Sequence, residues 1–205
     1  MSTTFLLIRH ALKEKAAGDV GITSKGKRQA QLTADYVQQY PIAAVIASPL
    51  RRAQETATYI ATAVQCPLQQ DSRLRERVNW GDLPGQTFEQ FVDMWERCTA
   101  DRHYIPPVGD SAAQAGQRLD SVLSELAAQY PVDSTIIMVT HGGLITDWLV
   151  GAIPEYQLAQ WHPAFIAVQS TLIPECSITE LTYDRGEYKL LSFASTTHLH
   201  ETNIQ

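Results

Sequence analysis

Two uninterrupted apolar runs constrain this chain more than anything else in it. Phe5-Leu6-Leu7-Ile8 and Ile136-Ile137-Met138-Val139 show no alternation with polar residues. A strand with one face in water alternates, whereas a run that is apolar at each position needs cover on both faces. Helices on either side of a sheet supply that cover, so strand and helix patterns should alternate along the chain. Each run ends on a histidine: Arg9-His10 closes the first, and Thr140-His141-Gly142-Gly143 follows the second. Ligands bind at the carboxyl ends of strands in open α/β sheets. A polar, titratable group at that place, twice over, points to a site rather than to packing.

The remaining pattern agrees with alternation. Ser24 is placed to cap a helix reaching about Tyr40, ahead of Pro41. Ala44-Val45-Ile46-Ala47 reads as a short strand, and Ser48-Pro49 as an N-cap with proline at the first helical position. The helix beyond presents Ala53, Thr56, Ala57, Ile60, Ala61 and Val64 on one face. The segment from Asp71 to Gly85 is irregular and charged. Thr87 to Gln90 and Ser111 to Gln114 are capping boxes that open two further helices. A short helix starts near Gly142 or Gly143 and stops by Pro154, and Ile178–Tyr183 and Tyr188–Phe193 pair around Asp184-Arg185-Gly186. The expectation is a three-layer α/β/α sandwich with a mainly parallel sheet and an antiparallel edge strand. No linker divides the 205 residues. The chain therefore reads as a single domain over 1–205, with pocket-rim excursions around 71–111. The loop from Tyr104 to Ser111 shares that rim, and the tail beyond His198 is expected to be loosely held.

Composition narrows the function. A net charge of −6 argues against nonspecific nucleic-acid binding, which needs a cationic surface. No apolar run approaches the ~20 residues of a membrane span, and no secretory signal is evident before the first strand. Cys66, Cys98 and Cys176 form no CxxC pair or zinc pattern, consistent with reduced thiols in a cytoplasmic protein.

Four segments carry chemistry. A neutral imidazole at His10 can attack phosphorus and split a displacement into two easier steps, while the Arg9 guanidinium can bind phosphoryl oxygens. Arg51-Arg52 falls in the first turn of a helix, where cations are disfavoured unless an anion is held there. His141, followed by two glycines that permit close backbone approach, can donate to the same anion. Glu76, in Leu74-Arg75-Glu76-Arg77, can protonate a leaving alkoxide and later activate water. Asp82 competes for that role. Read alone, each segment also has a bland interpretation: a satisfied core histidine, a solvated arginine pair, or a Glu76 paired to Arg75 or Arg77.

Taken in order, the segments resemble the histidine phosphatase superfamily, whose other well-known branch is the cofactor-dependent phosphoglycerate mutases. Leu7-Ile8-Arg9-His10 is similar to the family's opening motif, and Ile22 to Ala30 to its leucine-threonine, glycine, glutamine-alanine segment. Ser48 to Ala57 resembles the second arginine motif, Leu74-Arg75-Glu76 the acid segment, and Thr140-His141-Gly142-Gly143 the second-histidine motif. The resemblance implies a metal-independent phosphoric monoester hydrolase without a cofactor. It implies that His10 becomes phosphorylated and that Glu76 is the proton donor. Arg9, Arg52, His141 and Thr23 would hold the phosphoryl group. The implied partner is a small phosphorylated metabolite or a phosphoprotein, and the oligomeric state is open. The alternatives are a phosphoglycerate mutase and a catalytically weak phospho-ligand-binding protein. The chain departs from the pattern at Ala11, where the family has glycine. It departs again across Leu12 to Ala17, where an oxygen-bearing side chain is replaced by a segment holding Lys13 and Lys15. Asp110 stands where glutamate is usual.

Overall fold

The apolar runs do become strands covered on both faces. In the computed structural model, which describes residues 2–200, β1 (Thr3–Arg9) and β4 (Thr135–Thr140) lie side by side and parallel. Their side chains divide by turns between two cores. Phe5, Leu7, Ile136 and Met138 enter one, packed with Leu119, Leu123, Ile145 and Trp148. Leu6, Ile8, Ile137 and Val139 enter the other, packed with Ala34, Val37, Ala57 and Ile60. Successive strand side chains point to opposite faces, so eight consecutive-type apolar positions feed both layers at once.

The six strands run in the order β3-β2-β4-β1-β5-β6. β2 (Ile42–Ala47) is parallel to β4 and to β3 (Leu68–Gln70). β5 (Ile178–Asp184) and β6 (Glu187–Ser195) add an antiparallel edge beside β1. The helices α1 (Ser24–Val37) and α2 (Arg51–Ala63) cover one face, and α4 (Ala112–Gln129) and α5 (Gly142–Ala152) cover the other. This is the expected three-layer arrangement. α3 (Phe88–Ala100) stands apart on a satellite core of Val78, Met94 and Cys98. Among the described residues, no helix is long and apolar enough to cross a membrane.

Several local expectations are corrected. α1 is capped by Thr23, whose hydroxyl accepts from the Gly26 amide, rather than by Ser24, and it ends at Val37. α2 starts at Arg51 with Leu50 at the N-cap, so Pro49 precedes the helix. Ser48 is left free for another contact, described below. β3 was not expected: it is short, carries two glutamines, and is recruited only through pairing with β2. His198, at the start of the tail expected to be loose, lies in a 3-10 turn (Thr197–Leu199). It meets the Thr33 hydroxyl at 3.0 Å and stacks on Tyr36. Most of the tail expected to be loose, residues 201–205, lies outside the described residues.

Candidate active site

The register of β1 against β4 pairs Arg9 with Thr140. The next residue of each strand is therefore a histidine at the same end of the sheet. The His10 amide donates to the Thr140 carbonyl at 2.8 Å, and the two imidazoles meet edge-on with centroids 5.2 Å apart. Both are buried, His141 completely.

His10 is fixed in one tautomer. Its Nδ1 lies 2.8 Å from the Ala11 carbonyl, which can only accept, so Nδ1 carries the proton. Its Nε2 accepts from Arg52 Nε at 3.1 Å, which requires a lone pair there. Burial, then the nearby charges of Arg52 and Arg9, hold the His10 pKa well below the ordinary 6.5. At neutral pH the ring is uncharged, with one nitrogen lone pair facing the arginine.

Arg52 comes from the first turn of α2 and is almost fully buried. It also donates to Asn79 Oδ1 at 3.1 Å. Asn79 is in turn fixed by donation to the carbonyls of Gly18 and Trp80. Nothing in the sequence pattern singled out Asn79, since one asparagine in a charged loop carries no signal until the arginine is in place. Arg9 is partly exposed. It donates to the Ile173 carbonyl and pairs with Glu175 at 2.7 Å.

His141 Nε2 lies 2.8 Å from the Ser48 hydroxyl, whose oxygen accepts from the Leu50 amide and whose proton is free to point at the ring. The serine read as a helix cap thus orients the second histidine. His141 Nδ1 is buried without a partner. A buried orphan of this kind is rare and calls for an explanation. Burial first, then Arg52 and His10, push the His141 pKa well below 6.5.

Glu76 reaches the same region from the loop after a 3-10 turn (Ser72–Leu74). Its Oε2 accepts from the Gly143 amide at 3.1 Å, and its Oε1 from the Arg77 amide at 2.9 Å. A Cβ at Gly143 would lie 2.7 Å from Glu76 Oε1 and 2.4 Å from the Trp95 ring, so no side chain fits there. Asp82 is engaged elsewhere. It accepts from the Asn79 amide at 3.1 Å and pairs loosely with Arg75 at 3.7 Å. Arg77 is not the solvated neighbour of Glu76 that the sequence suggested. It is 2% exposed, pairs with Asp147 at 2.8 Å, and lies over the Trp95 ring at 3.8 Å.

His10, Arg9, Arg52 and Glu76 open on one cleft of about 330 Å³, whose lining does not include the fully buried His141. The polar residues Arg9, His10, Lys13, Arg52, Glu76 and Asn79 line it together with the apolar Trp80, Phe88, Phe91, Val92 and Trp95. Two expectations fail here. Thr23 does not line the cleft; its hydroxyl is used at the start of α1 and donates to the Leu12 carbonyl. The Tyr104–Ser111 loop lies behind the site, where the Asp110 amide donates to the Arg77 carbonyl, and α3 supplies the wall instead. Among the described residues, no group of three or more His, Cys, Asp or Glu is placed to hold a metal ion.

A sequence profile of the histidine phosphatase superfamily (branch 1) matches residues 5–196. The chain belongs to the histidine phosphatase superfamily. Among its relatives is the uncharacterized phosphatase PhoE of Bacillus subtilis, 25% identical over 96% of this chain and 97% of that one. The probable phosphoglycerate mutase GpmB of Yersinia enterocolitica is 28% identical over 83% of this chain and 77% of its own. The fold matches a mycobacterial glucosyl-3-phosphoglycerate phosphatase with a TM-score of 0.76 at 21% identity, covering 96% of this chain and all of that one. A phosphoserine phosphatase of Entamoeba histolytica, solved with 3-phosphoglyceric acid, matches at 0.73 with 26% identity over 97% and 100% of the two chains.

Within this histidine phosphatase the departures from the family pattern have simple structural consequences. Ala11 does not adopt positive φ, so a methyl group is tolerated there. It packs with Ile22, Ala30 and Cys176, and its amide donates to Thr56. Of the two lysines in the atypical segment, Lys13 lines the cleft and Lys15 does not.

Proposed function

We propose that this chain hydrolyses phosphomonoesters through a phosphohistidine at His10, with no metal. Family membership and relatives named as phosphatases support a phosphatase activity. The observation that carries the mechanism is the fixed tautomer of His10. Its proton is tied to the Ala11 carbonyl, which leaves the Nε2 lone pair for phosphorus. Arg52 and Arg9, which line the cleft, are the donors for the equatorial oxygens, whose charge grows in the transition state, and the orphan Nδ1 of His141 behind them joins them in the tautomer whose Nε2 accepts from Ser48.

The Nε2–P bond forms while the ester P–O bond breaks, and Glu76 gives its proton to the departing oxygen. Water then attacks phosphorus and returns a proton to Glu76. The P–N bond breaks, releasing phosphate and a neutral imidazole. A cleft of about 330 Å³ is at the small end of the ~300–1,000 Å³ range of ligand sites. That favours a small phosphorylated metabolite over a phosphoprotein.

The test is turnover of 4-nitrophenyl phosphate in excess chelator. Activity should persist, and His10→Ala should abolish it. The phosphoenzyme trapped from the active protein should be acid-labile and alkali-stable. Undiminished activity in His10→Ala removes the proposed nucleophile, and phosphate binding without turnover favours a sensor. Relatives named as probable phosphoglycerate mutases motivate a second reading, phosphoryl transfer between hydroxyls of one substrate. Conversion of 3-phosphoglycerate to its 2-isomer faster than phosphate release would establish it.

A further inference from the structure

The cleft's lining combines cations with a large aromatic surface. That surface is continuous: Trp80 meets Phe88 with centroids 5.0 Å apart, Phe88 meets Phe91 at 6.4 Å, and Phe91 meets Trp95 at 6.0 Å. Only part of α3's apolar surface is consumed by packing. Met94 and Cys98 are buried in the satellite core, whereas Phe88 is 57% exposed although it lines the cleft. The helix therefore spends one apolar face on the fold and presents a second to the site.

Charge differs between the elements that line the cleft. The cations lining the cleft are Arg9, Lys13 and Arg52. Arg9 and Arg52 are also what depress the Lys13 pKa after burial, so Lys13 shares the field of the phosphoryl end. The wall carries no cation to match. α3 holds Glu89, Asp93 and Glu96, and Glu96 lines the cleft. Its single arginine, Arg97, lies over the Tyr104 ring at 3.9 Å, outside the lining. Arg77, behind Trp95, is already matched by Asp147.

We propose that the alcohol portion of the substrate is flat and apolar, an aryl or arylalkyl group with no second negative charge. This rests on the phosphatase reading and names its substrate class. A phenyl ring laid on Phe88, Phe91 and Trp95 removes apolar surface from water on both partners and gains offset or edge contacts. A carboxylate in the same place would lie by Glu96, and α3 offers it no cation. The preference separates this chain's cleft from one built for phosphoglycerate.

The experiment compares esters of primary alcohols, so that leaving-group reactivity is matched: 3-phenylpropyl phosphate, propyl phosphate and 3-phosphoglycerate. The phenyl ester should exceed both others at least tenfold in kcat/KM. Phe88→Ala, at a half-exposed position that the fold does not need, should lower the phenyl ester by about tenfold, the equivalent of ~1.4 kcal/mol. The loss on propyl phosphate should be much smaller than the loss on the phenyl ester. Equal turnover of the three esters, or faster turnover of 3-phosphoglycerate, overturns the inference and leaves the phosphatase intact. A Phe88→Ala loss shared equally by phenyl and propyl esters also overturns it. No hydrolysis of any ester, 4-nitrophenyl phosphate included, removes the phosphatase reading and this inference together.

Discussion

Glu76 and Asp82 divide the candidates for proton transfer by what holds them. Glu76 lines the cleft and is oriented by two backbone amides, of Gly143 and Arg77. Asp82 braces the Asn79 loop. A proton donor matters in proportion to how poor the leaving group is. Glu76→Gln should therefore slow alkyl esters by roughly 10²- to 10⁴-fold while leaving 4-nitrophenyl phosphate, whose phenolate departs unaided, much less affected. Asp82→Asn should show no such selectivity. The check is the slope of log kcat against leaving-group pKa for each variant; a steep slope in Asp82→Asn and a wild-type slope in Glu76→Gln would reverse the assignment. Asn79→Ala removes the acceptor of Arg52 and should weaken inorganic phosphate binding by at least about tenfold, from the low end of the ~1.5–3 kcal/mol of a hydrogen bond to a charged group upward, read from its inhibition constant.

Arg77 ties three elements together. It donates to Asp147 of α5, to the Trp95 carbonyl and Thr99 hydroxyl of α3, and its own backbone amide holds Glu76. Removing one member of a buried pair strands the other, at a cost of ~3–5 kcal/mol. Arg77→Met should lose stability of that order at pH 8, measured by urea denaturation. Arg77→Met combined with Asp147→Leu should recover most of it, because no charge is left unmatched. Equal losses in the single and double variants would show that the pair does not act as a unit. None of this was legible in the sequence. Arg75-Glu76-Arg77 looks like a solvated charge run, and only a partner 70 residues away decides that Arg77 is buried. β3 escaped for a related reason: Leu68-Gln69-Gln70 has no apolar pattern, and its strand character comes from pairing with β2. Thr23 and Ser24 are both good caps, and the choice falls to the hydroxyl that reaches an amide three residues on. By contrast β1, β4 and the two histidines were legible, because an apolar run ended by a titratable group is a local signal.

At the scale of the molecule, the sheet order that places β1 beside β4 has a thermodynamic consequence. It buries two imidazoles among arginines and keeps both neutral. A histidine whose folded pKa is depressed binds protons better when unfolded, so stability falls as pH drops below the unfolded value of about 6.5. With the folded values well below that, His10 and His141 each lower stability as pH falls from 7 towards 5. His198, partly buried and also shifted down, acts in the same direction. Asp147 opposes them. Burial pushes its carboxyl up to about 7 despite Arg77, so the folded state takes up a proton as pH falls through 7, which stabilises it by ~2 kcal/mol by pH 5. Three depressed imidazoles oppose one raised carboxyl, and the protein should be less stable at pH 5 than at pH 7. The loss should be steeper in Asp147→Asn, which has no proton to gain, and shallower in His141→Asn, which has one fewer imidazole to charge. Urea denaturation of the three proteins at both pH values gives the answer. A stability that does not fall by pH 5 in the wild type, or an order of slopes other than Asp147→Asn, wild type, His141→Asn, would mean that the paired rings are not held neutral by the fold.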